Sequence, residues 1–241
     1  MSSMNLNPGR SEAIGLKLEE VNQSIRTTAR QSGRDPEAVR LVAVTKNFPA
    51  EDLEAAFFYG QHVFGENRAQ ELVAKAAELA GRIDCEWHMI GTLQTNKIKY
   101  LAGLVSLIHS VDSLRLLEAI QRRAERMGLV QNLLLQVNVS GEGSKHGFQP
   151  SALDAVLEGR DRFTNIRIRG LMTMAPFYDN PERARPVFAG LRGLRDMLSG
   201  RHAMPELTEL SMGMTGDFKQ AIAEGATLVR IGSAIFGQRN P

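Results

Sequence analysis

The run Leu41-Val-Ala-Val-Thr-Lys46 places five uncharged residues in front of a single amine. A short apolar run of this kind predicts a buried strand of a parallel sheet. Most lysines that follow a strand are solvated. A lysine at the mouth of an apolar pocket instead has a lowered pKa, and its neutral amine attacks aldehydes to form Schiff bases. A functional Lys46 therefore requires that the chain also supply a pocket and an aldehyde.

Similar apolar runs recur along the chain, separated by amphipathic segments. The predicted strands are Leu41–Lys46, His62–Glu66, Glu86–Gly91, Ser106–Val111, Leu133–Val139, Ile168–Met174, Glu209–Gly213 and Leu228–Gly232. About eight strands, each followed by a helix or a loop and helix, predict an α/β fold, a single (β/α)8 TIM-type barrel. The alternative is an open doubly wound sheet. Its dinucleotide-binding form needs a glycine-rich turn after the first strand, which residues 45–49 do not provide.

The remaining segments predict one domain without an internal linker. An extra helix over Ser11–Gln31 precedes the first strand and is expected to cover the outside or the bottom of the barrel. Residues 1–10 are expected to be a flexible N-terminus, and residues 11–241 a single barrel domain. Ser113 follows Asp112 as a capping residue before a helical run.

Composition excludes several classes of protein. The chain has 241 residues, of which 43% are hydrophobic, and a net charge of +2, so neither a nucleic acid nor a membrane partner is expected.

The single cysteine, Cys85, is expected to be a packed thiol in a reducing compartment. No secretory signal is visible, which favours the cytoplasm. His88 and His109 are expected to be hydrogen-bonded core or rim residues, and no spacing indicates a metal site.

Two turns near the C-terminus indicate a phosphate site. Ser211-Met-Gly-Met-Thr215-Gly216 and Arg230-Ile-Gly232-Ser233-Ala234 follow the predicted seventh and eighth strands. Barrels commonly bind phosphate there, and both turns offer small residues and hydroxyl groups. Lys46 lies at the same end of the barrel. Pyridoxal 5′-phosphate, which has an aldehyde and a phosphate, fits this pair of features, and so does a sugar-phosphate aldehyde in a Schiff-base aldolase.

Several motifs resemble one known family. They are Ala43-Val-Thr-Lys46, His62-Val-Phe-Gly-Glu-Asn67, Trp87-His-Met-Ile-Gly-Thr-Leu-Gln-Thr-Asn-Lys97, Gly143-Ser-Lys-His-Gly-Phe148, Gly170-Leu-Met-Thr-Met174, Leu210-Ser-Met-Gly-Met-Thr-Gly-Asp-Phe218 and Val229-Arg-Ile-Gly-Ser-Ala-Ile-Phe-Gly237. The chain resembles the YggS/PROSC family of pyridoxal phosphate homeostasis proteins, whose barrel is similar to the N-terminal domain of alanine racemase. The run from Trp87 to Lys97 is the most specific of these motifs.

The resemblance implies a role for each matched residue. Lys46 is expected to hold pyridoxal 5′-phosphate as a Schiff base, and Asn67 to lie near the cofactor ring. Arg230 is expected to face the pyridine nitrogen, where it donates a hydrogen bond and disfavours carbanion chemistry. The resemblance assigns the phosphate contacts to Ser211, Gly213, Gly232 and Ser233, with Thr215 in a position where the family more often has serine.

The resemblance implies a carrier that binds the cofactor and passes it to pyridoxal-phosphate-dependent apoenzymes, with no catalytic residue of its own. The alternative is an amino-acid racemase, which needs a second base opposite Lys46. Tyr178 is the only tyrosine considered for that role. Because we expect no second domain after the eighth strand, the dimer contact of the racemase is missing and a monomer is expected. Lys97 and Lys145 are candidates for holding the cofactor transiently or attracting its phosphate.

Overall fold

A computed structural model of the protein describes residues 8–142 and 146–238. Eight parallel strands pair in chain order, and the last strand pairs with the first, so the sheet closes into a barrel. This confirms the predicted TIM-type fold. The strands are β1 (Arg40–Val44), β2 (Val63–Glu66), β3 (Glu86–Met89), β4 (Leu107–Val111), β5 (Gln131–Gln136), β6 (Ile166–Met172), β7 (Glu209–Ser211) and β8 (Leu228–Ile231).

Helices cover the outside of the barrel. They are α1 (Pro8–Gln31), α2 (Ala50–Phe58), α3 (Ala69–Leu79), α4 (Ile98–Leu101), α5 (Leu114–Arg126), α6 (Leu153–Glu158), α7 (Arg185–Arg201), α8 (Phe218–Ala223) and α9 (Ser233–Phe236). Ser113 caps α5 as predicted, because its hydroxyl accepts a hydrogen bond from the backbone N–H of Leu116. Over the described ranges, no helix combines the length and the apolar character that crossing a membrane requires.

The extra helix α1 packs against α2, α8 and α9 on the outer surface, over the seam where β8 meets β1. It begins at Pro8 and not at Ser11, because a proline needs no N–H partner in the first helical turn. Residues 8–10 of the predicted flexible terminus are therefore helical, and residues 1–7 lie outside the described part of the chain. At the start of α1, Arg10 donates hydrogen bonds to the Asp52 carboxylate and to the carbonyl oxygen of Phe236.

The alternation of side chains along the strands divides the core in two. One set points into the barrel, and the other packs against the helices. The apolar members of the inner set pack together as one small buried cluster: Val42, Val63, Leu107, Leu134, Met172 and Leu228. The barrel is therefore closed through its middle, and small molecules have access only at its ends.

Several strands end earlier than predicted. The ladder of β1 stops at Val44 and not at Lys46, and that of β7 stops at Ser211 and not at Gly213. Gly213 has a φ of +90°, which takes the backbone out of the extended conformation and into a turn. The polar residues at the predicted strand ends therefore lie in turns above the barrel, where they line a cavity.

Candidate cofactor site

A cavity of about 260 Å³ opens at the C-terminal end of the barrel. Six of the eight predicted site residues line it: Lys46, Asn67, Thr215, Arg230, Gly232 and Ser233. Ser211 and Gly213 do not. Apolar walls that the sequence did not single out come from Val44, Phe48, Ile90 and Met214. Met174 also lines the cavity, whereas Met212 is fully buried in the core.

Lys46 lies in the turn after β1, and the backbone on both sides of it is held. The ammonium group of Lys75 on α3 donates to the carbonyl oxygen of Thr45 over 2.6 Å. The backbone N–H of Asn47 donates to Glu71 Oε1, also over 2.6 Å. Asn47 itself has a φ of 64°, in the left-handed region that few residues other than glycine adopt. Lys75 and Glu71 therefore fix a tight turn that presents Lys46 to the cavity.

Glu66 completes this arrangement from the end of β2. Its carboxylate is fully buried and accepts hydrogen bonds from Thr45 Oγ1 and from Lys75 Nζ, each over 2.6 Å. Burial raises the pKa of Glu66, and the hydrogen bond from Lys75 opposes this shift. None of the residues that the structure describes hydrogen-bonds to Glu66 Oε2. The sequence offered one signal for this cluster, a carboxylate at the end of an otherwise apolar strand.

The two predicted phosphate turns meet at the wall beside the end of β1. Ser233 Oγ donates a hydrogen bond to Thr215 Oγ1 over 3.2 Å and so joins the turns after β8 and β7. A Cβ at Gly232 would lie 2.8 Å from the carbonyl oxygen of Val44, so only glycine allows β8 to approach β1 here. A Cβ at Gly213 would lie 2.5 Å from Ala221 Cβ. Gly213 therefore shapes its turn from behind the cavity wall.

Asn67 is half-buried in the turn after β2 and lines the cavity. Gly91 packs directly against its backbone, and a side chain at Gly91 would overlap the carbonyl oxygen of Asn67. The end of β3 therefore holds Asn67 in place from one side.

Arg230 extends from β8 into the barrel and forms the floor of the cavity. Its guanidinium donates to Ser211 Oγ over 2.6 Å and to the carbonyl oxygen of Thr173 over 3.0 Å. Burial lowers the pKa of Arg230 to about 10, so the group stays protonated at neutral pH. Ser211 is fully buried below the cavity, in contact with Arg230 and with His109.

Other candidates from the sequence lie elsewhere. Tyr178 lines a separate pocket beside the cavity and stacks on the guanidinium of Arg183. Lys97 does not line the cavity, and Lys145 is outside the described residues. His88 and His109 are buried and hydrogen-bonded to each other. Within residues 8–142 and 146–238, no three His, Cys, Asp or Glu side chains are arranged to hold a metal ion.

Comparison with known proteins first defines the class. Residues 16–240 match the family model described as the N-terminal domain of alanine racemase.

Closer relatives then define the family. A pyridoxal phosphate homeostasis protein of Aquifex aeolicus is 44% identical over 223 residues, which cover 92% of this chain and 97% of that protein. The structure of PipY from Synechococcus elongatus, solved with pyridoxal phosphate bound, is 38% identical with a TM-score of 0.83, and the match covers 93% of this chain and all of PipY. An unknown protein from Bifidobacterium adolescentis is 37% identical with a TM-score of 0.91, over 98% of this chain and 99% of that one. The chain belongs to the family of pyridoxal phosphate homeostasis proteins.

Proposed function

We propose that this protein binds pyridoxal 5′-phosphate in the C-terminal cavity, with Lys46 as its covalent anchor, and takes part in the homeostasis of that cofactor. One observation carries the proposal: the amine of Lys46 and the linked hydroxyls of Thr215 and Ser233 line the same cavity of about 260 Å³. A cavity of this size suits a single-ring molecule. The relatives support the ligand, because PipY binds pyridoxal phosphate in a barrel of the same family.

The donor set matches the chemistry of the ligand. When bound, pyridoxal phosphate supplies an aldehyde that condenses reversibly with an amine and a ring that withdraws electrons. Lys46 would hold the aldehyde carbon through its amine. Thr215, Ser233 and the turns that carry them would bind the phosphate, and Asn67 would lie beside the ring. The apolar walls at Val44 and Ile90 exclude water from its faces.

Arg230 favours storage over catalysis. A guanidinium has no lone pair to accept a hydrogen bond and does not give up its proton at neutral pH, so it would donate to the ring nitrogen and leave that nitrogen unprotonated. An unprotonated ring withdraws electrons less strongly, and bonds at the Cα of an amino acid are then cleaved less readily. The carrier function therefore fits this site better than racemisation does.

The racemase alternative needs a second base on the face opposite Lys46. Tyr178, the one tyrosine considered for this role, faces a different pocket and stacks on Arg183. The position of Tyr178 argues against the racemase. We propose that the protein holds the cofactor and passes it to apoenzymes in the cytoplasm, acting as a monomer. Light scattering on the purified protein, with and without the cofactor, tests the oligomeric state.

The anchor is tested with two variants, Lys46→Ala and Lys17→Ala. Lys17 is an exposed lysine on α1 that pairs with Glu20, and it serves as the matched control. Each protein is mixed with pyridoxal phosphate, its visible absorption spectrum is recorded, and it is reduced with borohydride before peptide mass spectrometry. We expect wild type and Lys17→Ala to show the visible band and a cofactor adduct on the peptide containing residue 46. A normal band and adduct in Lys46→Ala would rule out this anchor.

Transfer and turnover are tested separately. The loaded protein is mixed with the apo form of a pyridoxal-phosphate-dependent enzyme, in the presence of a phosphatase that destroys free cofactor. Activation under these conditions supports direct transfer, and its absence assigns transfer to the free cofactor. Loss of α-deuterium from labelled alanine at an enzyme-like rate would instead establish the racemase.

A further inference from the structure

The hydrogen-bond partners of the Arg230 guanidinium are neutral groups. Its guanidinium is buried inside the barrel and hydrogen-bonds to a hydroxyl and a backbone carbonyl. Over the described ranges it forms no ion pair with a carboxylate. Few buried arginines lack a carboxylate partner, so the groups that fix its position are of interest.

A chain of hydrogen bonds leads away from Arg230 through the core. Ser211 Oγ lies 2.6 Å from Arg230 Nη1 and 2.7 Å from His109 Nδ1. His109 Nε2 lies 2.9 Å from His88 Nδ1. His88 Nε2 then faces Glu86 Oε2 at 3.6 Å. The chain begins at the cofactor cavity on β8, crosses the barrel from β7 to β4, and ends on β3.

The far end of the chain reaches the opposite face of the barrel. Glu86 and His88 line a polar cavity of about 360 Å³ at the N-terminal ends of the strands. Arg40, which pairs with Glu86 over 2.9 Å, lines the same cavity together with Arg167 and Arg169. The hydrogen-bonded chain therefore connects the cofactor site with a second, charged opening of the barrel.

The two ends of this chain set the direction of its hydrogen bonds, because Arg230 only donates and the ionised Glu86 carboxylate only accepts. His88 therefore carries its hydrogen on Nε2, facing Glu86, and its Nδ1 accepts from His109 Nε2. His109 Nδ1 is then left without a hydrogen and accepts from Ser211 Oγ, which itself accepts from Arg230. Burial lowers the pKa of both imidazoles, that of His109 strongly, which keeps the two rings neutral as this order requires.

We infer that Ser211, His109 and His88 are positioning residues that hold the guanidinium of Arg230 toward the bound cofactor ring, and that Ser211 acts on Arg230 and not on the phosphate. A phosphate oxygen needs a hydrogen-bond donor, and the only hydrogen of Ser211 is committed to His109. Thr215 and Ser233 are left as the hydroxyls that bind phosphate. This inference rests on the proposed function where it concerns the cofactor, whereas the order of the chain concerns the ligand-free protein.

The direction of the hydrogen bonds between Arg230 and Glu86 is tested without any cofactor. Protein labelled with ¹⁵N-histidine is studied by NMR, because the ¹⁵N shifts of an imidazole report which nitrogen carries the hydrogen. We expect His109 and His88 both to carry it on Nε2, with Nδ1 unprotonated. Conversion of Ser211 to alanine should shift the His109 Nδ1 resonance, and Ser211→Thr, which keeps the hydroxyl, should restore it. A hydrogen on His109 Nδ1 in the wild type would overturn the inference.

The role toward the cofactor is tested by comparing pyridoxal with pyridoxal 5′-phosphate, since the ratio of their affinities measures the contribution of the phosphate. Ser211→Ala should weaken the binding of both ligands about tenfold, the effect of losing one hydrogen bond to a charged group, and leave the ratio unchanged. It should also shift the visible band of the bound cofactor. The variant Thr215→Ala/Ser233→Ala should instead reduce the ratio.

The outcomes separate the two proposals. A loss in Ser211→Ala that is confined to the phosphorylated ligand would assign Ser211 to the phosphate and overturn the inference. A wild-type protein that binds neither ligand would refute the proposed function, while the NMR result would still decide the order of the chain.

Discussion

Lys75 Nζ lies 2.6 Å from the carbonyl oxygen of Thr45, the residue immediately before the proposed anchor Lys46. The same ammonium group binds Glu66 Oε1 and Glu71 Oε1, at 2.6 Å and 2.7 Å. One side chain of α3 thus ties together the ends of β1 and β2. Because Lys75 and Glu66 are both buried, their pairing determines whether this corner of the site is stable.

Replacement of Lys75 by methionine should destabilise the fold by about 3–5 kcal/mol, because it leaves the buried carboxylate of Glu66 without its cation. The loss is measured by urea unfolding of the ligand-free protein. The control is Lys17→Met, which removes an exposed pair with Glu20 and should cost no more than about 1 kcal/mol. We also expect Lys75→Met to react more slowly with pyridoxal phosphate, because the turn at Lys46 loses a support.

Replacement of Glu66 by glutamine should be milder than Lys75→Met. Lys75 keeps its contacts with Glu71 and with the Thr45 carbonyl, and the glutamine oxygen still accepts a hydrogen bond from Thr45 Oγ1. Equal losses in the two variants would mean that Glu71 and the Thr45 carbonyl do not compensate Lys75 for the loss of the Glu66 carboxylate.

Gly213→Ala should destabilise the protein by about 2–4 kcal/mol, the sum of a left-handed backbone and a steric overlap. Gly213 has a φ of +90°, and its Cβ would lie 2.5 Å from Ala221 Cβ. The matched control is Gly216→Ala in the same turn, where nothing lies within 4 Å of the added carbon. Thermal unfolding of both variants checks this, and similar melting temperatures would contradict the assigned role of Gly213.

Because of Glu86, the free energy of unfolding should depend on pH in the acid range. The His88 ring and the Arg40 guanidinium lower the pKa of Glu86 from 4.5 to about 2. A lowered pKa means that the folded state binds the proton less tightly than the unfolded state does. The contribution of Glu86 is therefore fully present above pH 4.5 and is lost as the pH falls toward about 2.

The variant Glu86→Gln tests this dependence. Unfolding free energies of wild type and variant are compared from neutral pH down to the acid limit of folding. Their difference should be largest near neutral pH and should shrink below pH 4.5. A difference that stays constant over this range would show that the charge of Glu86 is not involved.

Cys85 should react slowly with alkylating reagents. Burial raises the pKa of its thiol to about 11, and the nearby Asp84 adds to this effect. At pH 8 nearly all of the thiol is therefore protonated, and only the thiolate reacts. Iodoacetamide labelling of the folded protein should speed up through pH 9 and 10, whereas the protein unfolded in urea should react at the rate of an ordinary thiol. Fast labelling of the folded form at pH 8 would indicate an activated cysteine.

The fold was predictable because its signals are local. Each strand is a short apolar run, and a count of about eight with helices between them leads to the barrel without knowledge of any contact. The errors lie at the strand ends. The run from Leu133 to Val139 was expected as one strand, but β5 covers Gln131–Gln136. Apolar character continues into the turns that line the cavity, so composition alone does not show where the ladder stops.

The site was predictable only in part, for a related reason. Lys46 and the two turns proposed to bind phosphate were identified because they follow strands in the sequence. The contact of His109 with Ser211 joins strands that are not neighbours in the barrel and are 102 residues apart in the chain. It depends on the inward direction of both side chains and on the stagger of the strands, which no local pattern encodes. Lys75 was missed likewise, since a lysine on a helix is usually solvated.

The site lies over the seam between β1 and β8, where the barrel closes. Lys46 follows β1, whereas Arg230 and Ser233 belong to β8 and the turn after it, and β7 is joined to β8 by a single paired register at Ser211 and Leu228. A molecule bound to Lys46 at one end and to Ser233 at the other spans the junction at which β1 pairs with β8 and closes the barrel. The proposed ligand would link the first strand to the last, and we therefore expect its binding to increase the free energy of unfolding.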